Sequence, residues 1–186
     1  MAFIKYSMRS YPTAQDLFQL LEYLVSEEKY PIVLTPYPIN HYAPLEYIAL
    51  KWNYLHTYHH ADQMTLCYHY VISFDLDHEY FQLRKIKPQR ILAEIRTLFS
   101  FRGLDLFIAI HRSPNGCMEH VHIIVDSINA RTGRKTFVDM KSLKEELGLF
   151  FSSFNIAFSG YSFMTCNHRL ALGDEPPHRL YCPDLY

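Results

Sequence analysis

Two runs rich in β-branched and aromatic residues, LDLFIAIH over residues 104–111 and HVHIIVDS over 120–127, stand either side of the short connection RSPNGCME. That connection carries a Ser-Pro-Asn-Gly sequence, strong turn chemistry, so the two runs read as an antiparallel hairpin. Side chains alternate across a strand. His120 and His122 therefore share one face while Val121, Ile123 and Val125 pack the other way. Antiparallel pairing also sets His111, which ends the first strand, close to His120, which starts the second. The hairpin thus brings three imidazoles to one end of a sheet.

The remaining chain supplies helices to cover that sheet. Pro12 and a Thr13-x-x-Asp16 capping box open a helix from about Thr13 to Ser26, with Leu17, Phe18, Leu20, Leu21, Leu24 and Val25 on one apolar arc. At about 100° per residue, Tyr23 falls outside the arc, beyond the edge marked by Leu20, and its hydroxyl is free to face a neighbouring site or solvent. Pro31 to Pro44 is turn-rich. A second helix follows through Leu45, Ile48, Ala49, Trp52 and Leu55, then a strand in CYHYVISF. A third helix spans Pro88 to Ser100 on a stripe of Ile91, Leu92, Ile95, Leu98 and Phe99. After the basic loop NARTGRK, a fourth runs from about Lys141 to Phe154. The expected fold is α+β, a central, mainly antiparallel β-sheet flanked by helices, with residues 1–158 as one domain and an unassigned tail, 159–186, packed on it.

Composition narrows the classes. In 186 residues, 49% hydrophobic and 16% aromatic content supports a packed core rather than a disordered chain. Cys67, Cys117, Cys166 and Cys182 form no CxxC pair and read as free thiols. No apolar run approaches a membrane span and MAFIKYSMRS lacks a signal-peptide core, so the expected location is the cytoplasm. A net charge of -1 leaves no global basic footprint for nucleic acid; such a role must rest on local charge.

Three neutral imidazoles at a sheet end can hold a divalent metal through His111, His120 and His122 while leaving positions open for a substrate oxygen. Such an ion, Mg²⁺ or Mn²⁺ in the first instance and Zn²⁺ as a further option, would stabilise charge developing on a phosphodiester. The nucleophile is then water or a side chain. A tyrosine would conserve the phosphoester bond for rejoining, and Tyr23 is favoured by its place at the edge of a helix arc. His56 and His60 stand at i, i+4, a spacing that can bind metal, but with His59 and no nearby carboxylate motif they read as a polar helix end.

The order LLEYLVSEEK, CYHYVISF, an isolated His111 and HVHIIVDSINARTGRK resembles the relaxase, or mobilisation-nuclease, domain of the HUH endonucleases, over about Met1 to Asn155. The likeness is to relaxases with an N-terminal tyrosine. It implies Tyr23 as the strand-cleaving nucleophile, His120 and His122 as metal ligands, His111 as a third ligand or base, and Ser73 as a DNA-positioning residue. The implied reaction is site- and strand-specific nicking at a transfer origin through a 5′-phosphotyrosyl intermediate, followed by rejoining, during plasmid or integrative-element mobilisation. Implied partners are single-stranded or hairpin origin DNA, an accessory DNA-binding protein and a coupling protein, with no membrane role. Arg112, Arg131, Arg134, Lys135 and Lys141 supply local positive charge for a strand.

The chain departs from the family's pattern at Ser113, where an acid is usual two residues after the first histidine, and at Asp126, where asparagine is usual. Glu119 is the nearest substitute carboxylate, although alternation starts it on the opposite face from His120. Three alternatives follow: a weak or inactive DNA-binding accessory module with this fold, a replication-initiator or transposase-like HUH nuclease using Tyr161, and a metal hydrolase using water.

Overall fold

The structure, a computed structural model, describes residues 2–7, 9–26, 32–34, 45–61, 65–74, 85–100, 102–112 and 118–164. In chain order the elements are β1 (Ala2–Ser7), α1 (Ala14–Val25), β2 (Ile32–Leu34), α2 (Leu45–Tyr58), β3 (Cys67–Phe74), α3 (Pro88–Ser100), β4 (Leu106–Arg112), β5 (Met118–Asp126), α4 (Met140–Ser152) and β6 (Phe158–Met164). The strands form one sheet in the order β2-β4-β5-β3-β1-β6. Every neighbouring pair is antiparallel except β1 and β6, which are parallel. The expected α+β class with a mainly antiparallel sheet is what the chain adopts.

Alternation divides the sheet into two apolar faces. Ile4, Tyr70, Ile72, Ile108, Ile110, Val121, Ile123 and Val125 pack with Ile91, Ile95 and Phe99 of α3 and Leu143, Leu147 and Phe151 of α4. Cys67, Phe107, Ala109 and Ile124, on the other face, pack with Leu17, Leu21 and Leu24 of α1 and Ile48, Ala49 and Trp52 of α2. Helices therefore cover both sides, and His120 and His122 lie on the α1/α2 side, opposite the Val121, Ile123 and Val125 row.

The helix ends follow local chemistry. Thr13 caps α1: its Oγ1 accepts from the Asp16 N–H at 3.1 Å, and Asp16 Oδ2 accepts from the Thr13 N–H at 3.1 Å. At the end of α2, His60 takes a left-handed φ of 57° and the Ala61 N–H returns to the His56 carbonyl at 2.7 Å, a Schellman-type stop without glycine.

Three strands depart from the expected layout. β1 occupies an N-terminal stretch outside the expected elements, β2 lies in the turn-rich Pro31–Pro44 stretch, and β6 in the unassigned tail. The division between 158 and 159 falls inside β6, so the start of the tail belongs to the sheet. Tyr161, expected in an irregular segment, is on β6 with its backbone opposite Ile4. Residues 165–186, Cys117, Cys166 and Cys182 lie outside the described residues. Cys67 is a buried free thiol, and burial pushes its pKa well above the ordinary value. No helix among the described residues is long and apolar enough to cross a membrane.

Asp126 ties α2 to the sheet. It is fully buried, and its Oδ1 accepts from His56 Nε2 at 2.9 Å and from the Ile128 N–H at 3.1 Å. Burial pushes its carboxyl above the usual range, and these two hydrogen bonds oppose that shift. Asp126→Ala strands the His56 donor in the core and is expected to cost about 3–5 kcal/mol in urea denaturation. Asp126→Asn keeps an acceptor at Oδ1 and is expected to lose much less; equal losses would contradict this role.

Candidate metal centre

The register of β4 and β5 puts His111 directly across from His120, with a bulge immediately after, between His111 and Arg112. His122 is two residues along the same face. The three imidazole centroids stand 4.5–4.9 Å apart, and one ligand nitrogen from each lies within 4.8 Å of the others. His111 and His122 are buried and His120 is half-buried. These residues can hold a metal ion: His111 Nδ1 and His120 Nε2 are 3.0 Å apart, a separation that suits two nitrogens sharing one proton. It is also near the roughly 3 Å expected between neighbouring ligands whose bonds to one ion are about 2.1 Å long.

The outer partners decide which nitrogens are offered. His111 Nε2 faces the Leu24 carbonyl at 2.9 Å. A carbonyl only accepts, so that nitrogen carries the proton and Nδ1 keeps the lone pair. His122 Nδ1 lies 2.9 Å from His69 Nε2. A metal on His122 Nε2 would put the proton on Nδ1, to be donated to His69, whose own Nδ1–H would then face the Tyr11 hydroxyl at 3.4 Å. Burial holds the His69 pKa down to about 3; a proton on neighbouring His111 would lower it further, and the Arg9 charge adds to the effect. His69 is thus a neutral ring, able to accept at Nε2. No Asp or Glu joins the three histidines among the described residues.

Tyr23 lies beside this cluster. It is 4% exposed, its hydroxyl oxygen is buried, and its ring meets that of His111 edge-on at 6.3 Å. Expected outside the apolar arc, Tyr23 is instead buried in the core with Leu17, Leu20, Leu21 and Leu24, because the end of α1 packs down on the sheet beside His111. The residue after Tyr23 supplies the carbonyl that orients His111, so the end of α1 and the third histidine are fixed together.

Ser73 pairs with His120 across β3 and β5 and is half-buried, and Arg112 directly follows His111. Arg131, Arg134 and Lys135 are not brought to the histidines. They follow the far end of β5, whose seven-residue run from His120 to Asp126 covers about 20 Å. Lys141 is in the first turn of α4. Tyr161 is on a strand three places from β5, about 14 Å across the sheet. Ser113 lies outside the described residues, and Glu119 is half-buried beside His120. His56, His59 and His60 form no metal cluster: His56 serves Asp126, and His59 Nε2 donates to the Ala130 carbonyl at 3.1 Å.

His69 and Tyr11 are the residues sequence reasoning missed. The signal was present in CYHYVISF, where Cys67, His69, Val71 and Ser73 alternate onto one face. His69→Leu is expected to weaken Mn²⁺ or Zn²⁺ binding about 10–100-fold by calorimetry. His69→Gln, which keeps an acceptor for His122, is expected to stay near wild type, and equal binding by the Leu variant would remove His69 from the site.

No protein-family model, curated protein or solved structure matches the chain.

Proposed function

We propose that the chain is an HUH-type relaxase, nicking and rejoining one DNA strand at a transfer origin with Tyr23 as nucleophile and His111, His120 and His122 as metal ligands. The observation that carries this reading is the packing of Tyr23 against His111 within a three-histidine cluster. The motif order adds the N-terminal tyrosine helix, and the antiparallel sheet with the two histidines on the central strand β5 agrees with the fold such an enzyme needs.

The Tyr23 oxygen attacks phosphorus, the bond from phosphorus to the 3′ oxygen breaks, and the 5′ phosphate stays on the protein. The tyrosine loses a proton and the 3′ oxygen gains one, so the reverse step rejoins the strand. A divalent ion held by the histidines would supply Lewis-acid stabilisation of the phosphate oxygens. His111 fits a ligand better than a base, because Nε2 is engaged by Leu24 and Nδ1 is turned to His120. Three imidazoles without a carboxylate favour Mn²⁺ or Zn²⁺ over Mg²⁺. The buried Tyr23 has to be uncovered when DNA engages, which gives a role to an accessory protein that melts and presents the origin. Delivery through a coupling protein and a cytoplasmic site of action belong to the same reading.

The Asp126 departure does not count against catalysis, since that side chain serves α2 at the other end of β5. Incubation with labelled single-stranded origin DNA and Mn²⁺ is expected to give a covalent protein–DNA adduct on a denaturing gel. Tyr23→Phe and chelation are expected to abolish it, and Tyr161→Phe to leave it unchanged. Dependence on Tyr161 would move the nucleophile to β6, cleavage surviving Tyr23→Phe would make water the nucleophile, and origin binding with no adduct under any metal would make the chain a binding module.

A further inference from the structure

α2 is built for contact on both faces. Ile48, Ala49, Trp52 and His56 face the sheet and are buried, yet the opposite side exposes Tyr47, Leu50, Tyr54 and Tyr58 at spacings of three and four. A solvated helix face normally carries charge, and the exposed residues of α2 include only one charged side chain, Glu46. Tyr54 and Tyr58 are 65% and 66% exposed, and their rings lie nearly parallel, 24° apart, with centroids at 6.3 Å.

The turn after β5 is docked on the end of this helix. The His59 ring meets Tyr58 edge-on at 5.0 Å and holds the Ala130 carbonyl. Gly133 has a φ of 65°, and a Cβ there would fall 2.5 Å from the His59 ring, so only glycine lets the loop sit against the helix. Asn129 Oδ1 accepts from the Arg131 and Thr132 N–H groups at 3.0 and 3.1 Å, which shapes the turn. Arg131, Arg134 and Lys135 project from it, all exposed, and no acid occurs from Ile128 to Val138.

We infer that Tyr54 and Tyr58 with Arg131, Arg134 and Lys135 form a second binding surface, separate from the histidine cluster, for single-stranded nucleic acid. Flat exposed rings offer stacking to any base, and a purely cationic loop beside them holds the phosphates between. The charge selects this occupant over an apolar protein partner. The inference extends the DNA reading above, but strand binding here needs no metal and no Tyr23 chemistry.

The test is fluorescence anisotropy of a labelled single-stranded oligonucleotide with the full chain in chelator, across a series of salt concentrations. Tyr54→Ala/Tyr58→Ala is expected to weaken binding about tenfold or more, Tyr54→Phe/Tyr58→Phe to retain it, and Tyr54→Leu/Tyr58→Leu to behave as the alanine pair. Arg131→Ala/Arg134→Ala/Lys135→Ala is expected to flatten the slope of log affinity against log salt by about 2. No binding by wild type, binding unchanged by these variants, or a change of oligomeric state on tyrosine loss with DNA binding intact would overturn the inference. Strand binding through this face without a Tyr23 adduct would overturn the nicking reading alone. Adduct formation and binding indifferent to both sets of variants would overturn this inference alone.

Discussion

The register between β4 and β5 is the constraint on which the site depends. His111 faces His120 only because Ile110 pairs with Val121 and Ile108 with Ile123, and those four side chains are buried in the core under α3 and α4. A slip of one residue would turn every side chain of β5 to the other face. Exposing Val121, Ile123 and Val125 would cost about 5–9 kcal/mol, at about 1.5–3 kcal/mol for each buried side chain. The apolar face of β5 thus holds its histidine face in place.

On that face the chain surrounds three imidazoles with neutral partners. Leu24 contributes a carbonyl to His111, and His69 a neutral ring to His122. Without a carboxylate among them, an ion held there would keep its positive charge for an anionic substrate instead of sharing it with the protein. α1 takes part through its last turn, where Tyr23 and Leu24 reach the same histidine from adjacent positions. The far end of β5 is a different place. There Asp126 and His56 anchor α2, and the basic turn rests on the end of that helix.

Much of this was legible where the causes were local. The capping box opened α1, Pro88 set the start of α3, and the turn chemistry after His111 placed three histidines together. The edge strands were not legible, since β2 has three residues and β6 gains its identity by pairing with β1 from the other end of the chain. His69 escaped because its role depends on the cross-strand alignment of β3 with β5, which no local pattern encodes. The basic loop was misleading for a geometric reason: Arg131 is close to His122 in sequence, but an extended strand carries it away from the metal ligands.

Diffraction from crystals grown with Mn²⁺, recorded to give an anomalous difference map, tests the centre most directly. One strong peak is expected, bonded to His111 Nδ1, His120 Nε2 and His122 Nε2, with the Tyr23 ring beside it. Full binding at another site with none at these nitrogens, or no peak under conditions that saturate other three-histidine sites, would contradict it.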